Sequence, residues 1–331
     1  MPAELLRSLY GGIVAHNEEP RIQQALESLL GQELPPDTNW AGVCVVASGC
    51  TDRTADLVRA RAARDPRIEL VVQERREGKS AALVEVFRRA HGDALILLNG
   101  DARARPGAVA ALLGEAQAAR GRPLAVMGRP EPDDSSGAPA PEFELLWRIH
   151  HRFHAEELGW GTGSHLSDEL MLLSLPVLPP LRPGVINDGA FIGVSLRRLG
   201  GELRYAPQAR VAVAVPRGLG QHLRQRRRIL YGHAQVRDLA GVAPTTLHGR
   251  AFRHPIQVMR SLVADARATP NGTRALVALA TAEALASVLA RIDRRSPDID
   301  HTLWRRVTTV PPALGGLGDR DPVAAERTES A

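Results

Sequence analysis

Asn99, Gly100 and Asp101 follow the apolar run 94–98 directly, and their types suit ion and phosphate chemistry. A short apolar run bounded by polar and glycine residues predicts a strand buried on both faces. Side chains on the loop that leaves such a strand lie at the carboxyl edge of an open α/β sheet, where ligands bind. There Asp101 can hold a hard divalent cation, Asn99 can add a carbonyl oxygen, and Gly100 lets a phosphate approach the backbone. The alternative is a polar turn that caps the next helix.

Lys79 is the second candidate, because it is the only lysine among 42 basic residues. It follows Gly78 at the predicted start of a helix. A compact ammonium in that place is suited to pairing with a phosphate or a carboxylate, and an arginine is not equivalent to it. The alternative is chance, since a single lysine must fall somewhere.

Alternating strand and helix patterns position these residues. The alternation predicts an α/β fold, with a mostly parallel sheet and helices on both faces. Asn17 is the expected N-cap of the first helix, and Thr51 or Asp52 that of the second. The predicted strands are 9–15, 42–47, 68–72, 94–98 and 123–127, and the predicted helices are 18–30, 51–64, 79–90 and 106–120.

The second half of the chain begins with the proline-rich segment 129–141, which predicts an exposed, mobile loop. An amphipathic helix is expected at 142–158, strands at 170–175 and 211–215, and a helix at 189–199. A further helix carries the basic run 224–228. The segment 275–290 holds one charge, Glu283, and is shorter than the roughly 20 residues of a membrane span. It is expected to be a helix that either packs on the main domain or lies at a membrane surface.

Composition limits the possible classes of protein. The 331 residues can bury a full α/β core plus a smaller accessory region. A net charge of +5 favours acidic small partners or an anionic surface, and it is too small to indicate nucleic-acid binding. Two cysteines, Cys44 and Cys50, provide no disulfide framework, and the N-terminus has no apolar signal region. A cytoplasmic location is therefore expected.

Six short motifs in chain order resemble those of the family 2 glycosyltransferases, over about residues 8–235. The resemblance implies a GT-A fold and an inverting transfer. It divides the chain into a glycosyltransferase domain at 1–235, with a nucleotide-binding half at 8–128 and an acceptor half at 142–235. A C-terminal helical region at 236–320 and a disordered tail at 321–331 follow. The motifs are 13–19, 45–52, 77–79, 99–101, Asn187-Asp188, and Gln225 with Arg228.

The resemblance implies a nucleotide-sugar site in the first half. Ser48 stands where the family commonly has a carboxylate that reads uracil, and Asn99 replaces the first carboxylate of Asp-x-Asp. A divalent cation, manganese or magnesium, is expected on Asp101, with further oxygens from the donor phosphates. The implied donor-binding residues are Ala15, Asn17, Glu18, Ser48, Gly78, Lys79, Asn99, Gly100 and Asp101.

In the second half the resemblance implies the acceptor side. Asp188 takes the place of the general base, and its alternative is an ordinary helix N-cap. Asn187, Gln225 and Arg228 are implied to face the acceptor and the diphosphate. Ile229 replaces the family's tryptophan, which argues against processive polysaccharide synthesis. Two nearby histidines, His222 and His233, either reach the metal or phosphate or are plain structural residues.

The expected function is metal-assisted transfer of a sugar from a nucleoside-diphosphate sugar, UDP-linked, to a hydroxyl. The acceptor is a small molecule or is linked to a lipid, no nucleic acid is expected, and the basic charge allows association with the inner face of a membrane. Two alternatives stay open. One is a sugar-phosphate nucleotidyltransferase, which the acidic loop 15–19 opposes, and the other is a non-catalytic nucleotide-binding scaffold.

Overall fold

The computed structural model describes residues 6–117, 123–133, 139–159, 161–175, 177–216, 218–296, 299 and 301–303. Its strands are β1 (Ser8–Ala15), β2 (Asn39–Ser48), β3 (Ile68–Gln73), β4 (Ala94–Asn99), β5 (Arg103–Ala104), β6 (Leu124–Pro132), β7 (Leu170–Ser174) and β8 (Glu202–Val213). Its helices are α1 (Ile22–Leu30), α2 (Thr54–Ala62), α3 (Lys79–Arg89), α4 (Ala108–Gln117), α5 (Pro141–Gly159), α6 (Asp188–Arg198), α7 (Leu219–Ala240), α8 (Leu247–Arg253), α9 (Pro255–Arg267) and α10 (Gly272–Asp293).

The eight strands form one sheet in the order β3-β2-β1-β4-β7-β6-β8-β5. The first four are parallel neighbours, and β6 is parallel to β8. β7 is antiparallel to both β4 and β6, and the short β5 is antiparallel to β8. The prediction of a mostly parallel α/β sheet with helices on both faces is confirmed.

Hydrophobic cores lie on both faces of the sheet because successive strand residues point to opposite sides. In β4, Ile96 and Leu98 join the core that contains α1 and α4, whereas Leu95 and Leu97 join the core that contains α3 and α6. All four side chains are almost fully buried. A strand buried on both faces reads as a continuous apolar run, as 94–98 does in the sequence.

The reversed strand β7 determines which loops meet at the carboxyl edge of the parallel strands. Leu98, near the end of β4, pairs with Leu170, the first residue of β7. The backbone N–H of Asn99 donates to the carbonyl of Glu169 at 3.2 Å. The residues that precede β7 therefore lie beside the residues that follow β4.

Two predicted helix starts and one predicted loop are wrong. α1 begins at Ile22 rather than at Glu18, and Asn17 does not cap it, because Asn17 adopts a left-handed φ of 54° and its Oδ1 accepts from the N–H of Thr51 at 2.8 Å. α2 begins at Thr54, although Asp52 Oδ1 does accept from the N–H of that residue at 3.0 Å.

Between 129 and 141 the chain is not all loop, because β6 continues to Pro132 along β8, which begins at Glu202 instead of 211. The rest of that loop lies partly outside the described residues. So does the tail predicted from about residue 321.

The C-terminal helices pack on α5 and α7. The domain boundary expected at residue 235 falls inside α7, which continues to Ala240. α10 is held to α7 by two ion pairs, Arg226 with Glu283 and Arg227 with Asp293. Within the described ranges, α10 is the helix whose length and mean hydropathy would allow it to cross a membrane. Its inner face nevertheless packs on α7, α5 and α9, as one of the two predictions for 275–290 required.

Candidate active site

The ends of β1 and β2 form the first wall of the site. The ring of His16 donates from Nδ1 to the carbonyl of Ser48 at 2.7 Å, which joins the two loops. Asn17 adds a second link through its bond to Thr51, and Glu18 donates from its backbone N–H to Thr54 Oγ1 at 2.8 Å. These contacts use side chains of loop residues to fix the carboxyl edge of the sheet.

Ser48 carries a buried hydroxyl that makes no hydrogen bond to any described residue. A buried polar group without a partner is costly, so such groups are often completed by a ligand or by water. Ala15 is also buried at this edge, opposite Ala47 in the register of β1 and β2. The structure thus places Ala15, Asn17, Glu18 and Ser48 together, as the sequence predicts.

The loop after β4 lies against the end of β1. The N–H of Gly100 donates to the carbonyl of Val14 at 3.0 Å, and a Cβ on Gly100 would lie 2.8 Å from that same oxygen. Only glycine therefore fits this close approach. Next to it, Asp101 is half-buried and forms neither a hydrogen bond nor an ion pair with any described residue. Its carboxylate is available for an added cation.

Lys79 occupies the first position of α3, as predicted, after Gly78 with a φ of 90°. Its ammonium forms an ion pair with Asp168 and lies 3.2 Å from Asp188 Oδ2. Lys79 comes from the first half of the chain and both carboxylates come from the second. We call Lys79, Asp168 and Asp188 the carboxylate–lysine cluster.

Burial and the opposite charges of the cluster both shift the pKa values of its three groups. Burial raises the pKa of Asp188 to about 6, even though Lys79 favours the ionised form. For Asp168, burial opposes ionisation, but Lys79 brings the pKa below its usual value. Burial also opposes the charge on Lys79, whose pKa is nevertheless raised by the two carboxylates. Asp188 is thus a buried carboxylate that titrates near neutrality beside a fixed cation.

Asn187 and Asp188 have separate tasks at the start of α6. Asn187 is the N-cap, and its Oδ1 accepts from the N–H of Ala190 at 3.0 Å. The alternative interpretation of Asp188 as the helix cap is therefore wrong. Asp188 is only 3% exposed, and its carboxylate faces Lys79.

Asp168 and Glu169 are absent from the sequence-based site, yet they lie at its centre. Burial, together with the neighbouring Asp168, raises the pKa of Glu169 to about 7, and the hydroxyl of Ser167 donates to its carboxylate. The signal in the sequence is an acidic pair directly before the apolar strand at 170. It becomes visible only when β7 is known to run antiparallel, because that direction brings the start of β7 to the carboxyl end of β4.

α7 lines the second half of the site. Burial lowers the pKa of Arg228, while the negative charges of Asp188 and Asp168 favour its protonated form. Arg228 Nε donates to the carbonyl of His301 at 3.0 Å, so the chain after α10 returns to this site. Gln225 lies on the same helix, three residues earlier, and its side chain makes no hydrogen bond to a described residue.

Neither histidine considered as a metal or phosphate contact joins a metal-binding group in the part of the chain that is described. His222 is buried edge-on against Phe143, with its pKa lowered by burial to about 4. His233 lies 4.9 Å from His165, measured between ring centroids, and burial brings its pKa well below the usual value. Both imidazoles are therefore neutral at pH 7.

Known proteins resemble the chain in sequence and in fold. Residues 12–163 match the Glycosyl transferase family 2 profile, whereas no curated protein matches the sequence. The mannosyltransferase PcManGT from Pyrobaculum calidifontis, solved with GDP-Man and Mn²⁺, is 20% identical over 88% of each chain, with a TM-score of 0.60.

Two further solved structures show lower similarity. Glucosyl-3-phosphoglycerate synthase from Mycobacterium tuberculosis is 21% identical over 72% of this chain and 82% of its own, with a TM-score of 0.47. S. aureus TarS 1–349, solved with UDP-GlcNAc, is 14% identical over 92% and 98%, with a TM-score of 0.45. The profile match spans the first four of the six motifs, and the similarity to PcManGT covers most of the chain. Residues 12–163 therefore resemble glycosyltransferase family 2, and the chain shares the GT-A fold of PcManGT.

Proposed function

We propose that the protein transfers a sugar with inversion from a nucleoside-diphosphate sugar, UDP-linked, to the hydroxyl of an acceptor. The observation that carries this proposal is the carboxylate–lysine cluster. It places a buried carboxylate of raised pKa, Asp188, at the sheet edge that also carries Asn99–Asp101. A base and a donor-phosphate site on one edge are the two parts that a single displacement requires.

The donor nucleobase is proposed to lie between the ends of β1 and β2. The unpartnered hydroxyl of Ser48 supports this place, since it can donate to or accept from a base edge. Ala15, Asn17 and Glu18 form the opposite wall. PcManGT was solved with GDP-Man, so a guanine nucleotide is the competing donor that an experiment must separate from uracil.

Asp101 is proposed to hold a divalent cation, manganese or magnesium. Its carboxylate is uncommitted among the described residues and lies next to Gly100, where a phosphate can approach the backbone. Because one carboxylate is a weak site by itself, the donor diphosphate and the carbonyl of Asn99 are expected to complete it. When bound, such a cation neutralises charge that develops on the leaving diphosphate.

In the proposed mechanism the acceptor hydroxyl gives its proton to the carboxylate of Asp188. The acceptor oxygen then forms a bond to the anomeric carbon from the face opposite the diphosphate, and the bond from that carbon to the phosphate oxygen breaks. One displacement inverts the anomeric configuration. Lys79 favours the ionised Asp188 before the reaction, and Arg228 provides positive charge on the acceptor and diphosphate side.

The acceptor is proposed to be a hydroxyl-bearing small molecule or a lipid-linked compound, in the cytoplasm or at its membrane face. Gln225 and Asn187 are proposed to face the acceptor, and the buried neutral ring of His165 lies near Asp168. No contact in the described part of the chain identifies the acceptor further, so the first assay uses water as a surrogate acceptor.

Calorimetric titration with UDP-, GDP- and dTDP-sugars, with and without manganese, tests the proposal together with a donor-hydrolysis assay. We expect binding of a UDP-sugar that requires manganese, and slow hydrolysis of the same donor. Binding without any turnover, also in the presence of candidate hydroxyl acceptors, would indicate a scaffold. Turnover only of a sugar 1-phosphate with a nucleoside triphosphate would indicate a nucleotidyltransferase.

A further inference from the structure

The junction between α8 and α9 exposes three large apolar side chains. Phe252 is 91% exposed, Ile256 70% and Met259 59%. Pro255 at the start of α9 ends the preceding helix, so the chain bends at His254. Large side chains exposed this far leave most of their apolar area in water, and clustered ones are typical of an interaction surface. We call Phe252, Arg253, Ile256, Met259 and Arg260 the elbow surface.

Exposed arginines lie within the elbow surface and along α9 and α10, and no exposed carboxylate balances them in residues 247–296. This region has three acidic residues, and each pairs inward: Asp265 with Arg152, Glu283 with Arg226, and Asp293 with Arg227. The three partner arginines all lie on α5 or α7. These carboxylates therefore neutralise arginines of the inner helices, and the exposed arginines of residues 247–296 have no carboxylate from this region opposite them. The exposed arginines without a carboxylate partner among the described residues are Arg253, Arg260, Arg267, Arg274, Arg291 and Arg295.

We propose that the elbow surface docks on an anionic lipid bilayer, with the three apolar side chains inserted at the headgroup boundary. Apolar residues flanked by unopposed arginines have the composition of interfacial helices. The arginines contact the negative headgroups, while the side chains of Phe252, Ile256 and Met259 leave water for the apolar part of the bilayer. A second copy of the chain fits this surface less well, because an isologous contact would bring identical arginines together.

The outer face of α10 extends the apolar character of the same helical region. Val277, Leu285, Val288 and Ile292 are about half exposed or more, and α10 packs on α9. α10 also packs on α7, which carries Arg228. Docking through this region therefore places α10 between the bilayer and α7, which is a helix of the candidate active site. This inference deepens the proposed function, since it favours an acceptor that is linked to a lipid.

Co-sedimentation of the full chain with vesicles tests the docking without any need for catalysis. The vesicles contain either phosphatidylcholine alone or about one-third phosphatidylglycerol, and the salt concentration is raised from about 0.1 to 0.5 M. We expect binding to the anionic vesicles, little binding to the neutral ones, and release by salt. Arg253→Gln with Arg260→Gln should lower the partition coefficient about 20- to 30-fold.

The apolar part of the surface is tested by Phe252→Ser and Ile256→Ser, alone and together. We expect the double variant to lose about tenfold or more in partition. Both side chains are mostly exposed, so thermal unfolding should not change. The matched controls are Arg61→Gln with Arg64→Gln, on and just after α2, and Val72→Ser on β3, which should bind like the wild type.

Three results would overturn the docking proposal. They are absence of binding to anionic vesicles, equal binding to neutral vesicles, and elbow variants that bind like the wild type. A dimer in solution that only the elbow variants dissociate would also overturn it, in favour of a self-interface. Donor hydrolysis by the same preparations is read separately, so failure of the proposed chemistry and failure of the docking are distinguishable.

Discussion

Replacing Asp188 by asparagine separates the proposed base from a role of this residue as a helix cap. Because Asn187 already caps α6, Asp188→Asn leaves the cap intact. Asparagine has nearly the same size and cannot accept the proton of an acceptor hydroxyl. Lys79 keeps its other partner, Asp168, so the cluster does not lose its ion pair entirely.

The expected magnitudes have opposite directions for activity and for stability. Loss of a general base should reduce turnover by roughly 10²–10⁴-fold. The rise of the Asp188 pKa from 3.8 to about 6 means that ionisation at neutral pH costs about 3 kcal/mol of folding free energy. The stabilisation from the protonated form is present below pH about 4 and lost as the pH rises through about 6. Relative to the wild type, the variant should therefore be equally stable or more stable above pH 6, by at most about 3 kcal/mol.

Two measurements on one preparation decide the matter. The first is the turnover of donor hydrolysis, and later of transfer, and the second is urea unfolding at pH 4.5 and pH 8. A structural Asp188 would show parallel losses of turnover and of unfolding free energy at pH 8, and that result would refute the reasoning. Glu169→Gln is the informative comparison, because Glu169 is a buried carboxyl at the same edge with a raised pKa. A full loss in Glu169→Gln with activity kept in Asp188→Asn would assign the base to Glu169.

Further variants test the other parts of the site. Lys79→Ala should weaken donor binding by roughly 1.5–3 kcal/mol in calorimetry, and Lys79→Arg should also be impaired, since a planar fork does not replace a compact ammonium. Asp101→Ala should abolish the part of nucleotide binding that depends on manganese. Ser48→Ala should leave thermal stability unchanged, because the hydroxyl has no protein partner among the described residues, but it should lower donor affinity. In wild-type enzyme, kcat/KM should fall tenfold per pH unit below about pH 6, where Asp188 becomes protonated, and Lys79→Ala should move that limb to higher pH.

Controls accompany these variants. Asp56→Ala removes an exposed carboxylate on α2 and should leave nucleotide binding unchanged. Binding that is equal in excess chelator, or unaffected by Asp101→Ala, contradicts the metal role. A fully active Lys79→Arg contradicts the need for a compact ammonium, and unaltered affinity in Ser48→Ala removes this residue from the nucleobase site. If the acidic fall of kcat/KM occurs at the same pH in Lys79→Ala as in the wild type, protonation of Asp188 does not cause that fall.

The first half of the fold could be predicted from the sequence because its signals are local. The apolar run of β4 ends on a polar triplet, and Lys79 follows the glycine at the start of α3, so both elements and their edge follow from neighbouring residues. The first residue of a helix is harder to predict, because a cap-type side chain can bond to a distant residue instead. Asn17 has the type of a helix cap, but it bonds to Thr51, which is distant in the sequence, and the helix starts five residues later.

The second half of the fold could be predicted only in part, since its arrangement depends on the direction of β7. An acidic pair before a strand lies at the opposite edge of a parallel sheet, whereas Asp168 and Glu169 precede the antiparallel β7. No local pattern gives that direction. The assignment of Asn187 rather than Asp188 as the cap of α6 likewise follows from side-chain geometry, because either residue type caps helices well.

The solitary lysine has a consequence for chemical labelling. Lys79 is the only ε-amine in the sequence, and it is partly buried and paired with two carboxylates that raise its pKa. Acylating reagents react with unprotonated amines, so at neutral pH this side chain should react far more slowly than an exposed lysine. The extent of acylation at Lys79, measured by mass spectrometry, would then show whether the first half of the chain is in contact with Asp168 and Asp188 of the second half. Modification at residue 79 would mark molecules in which the halves had separated, and a bound donor should change its rate.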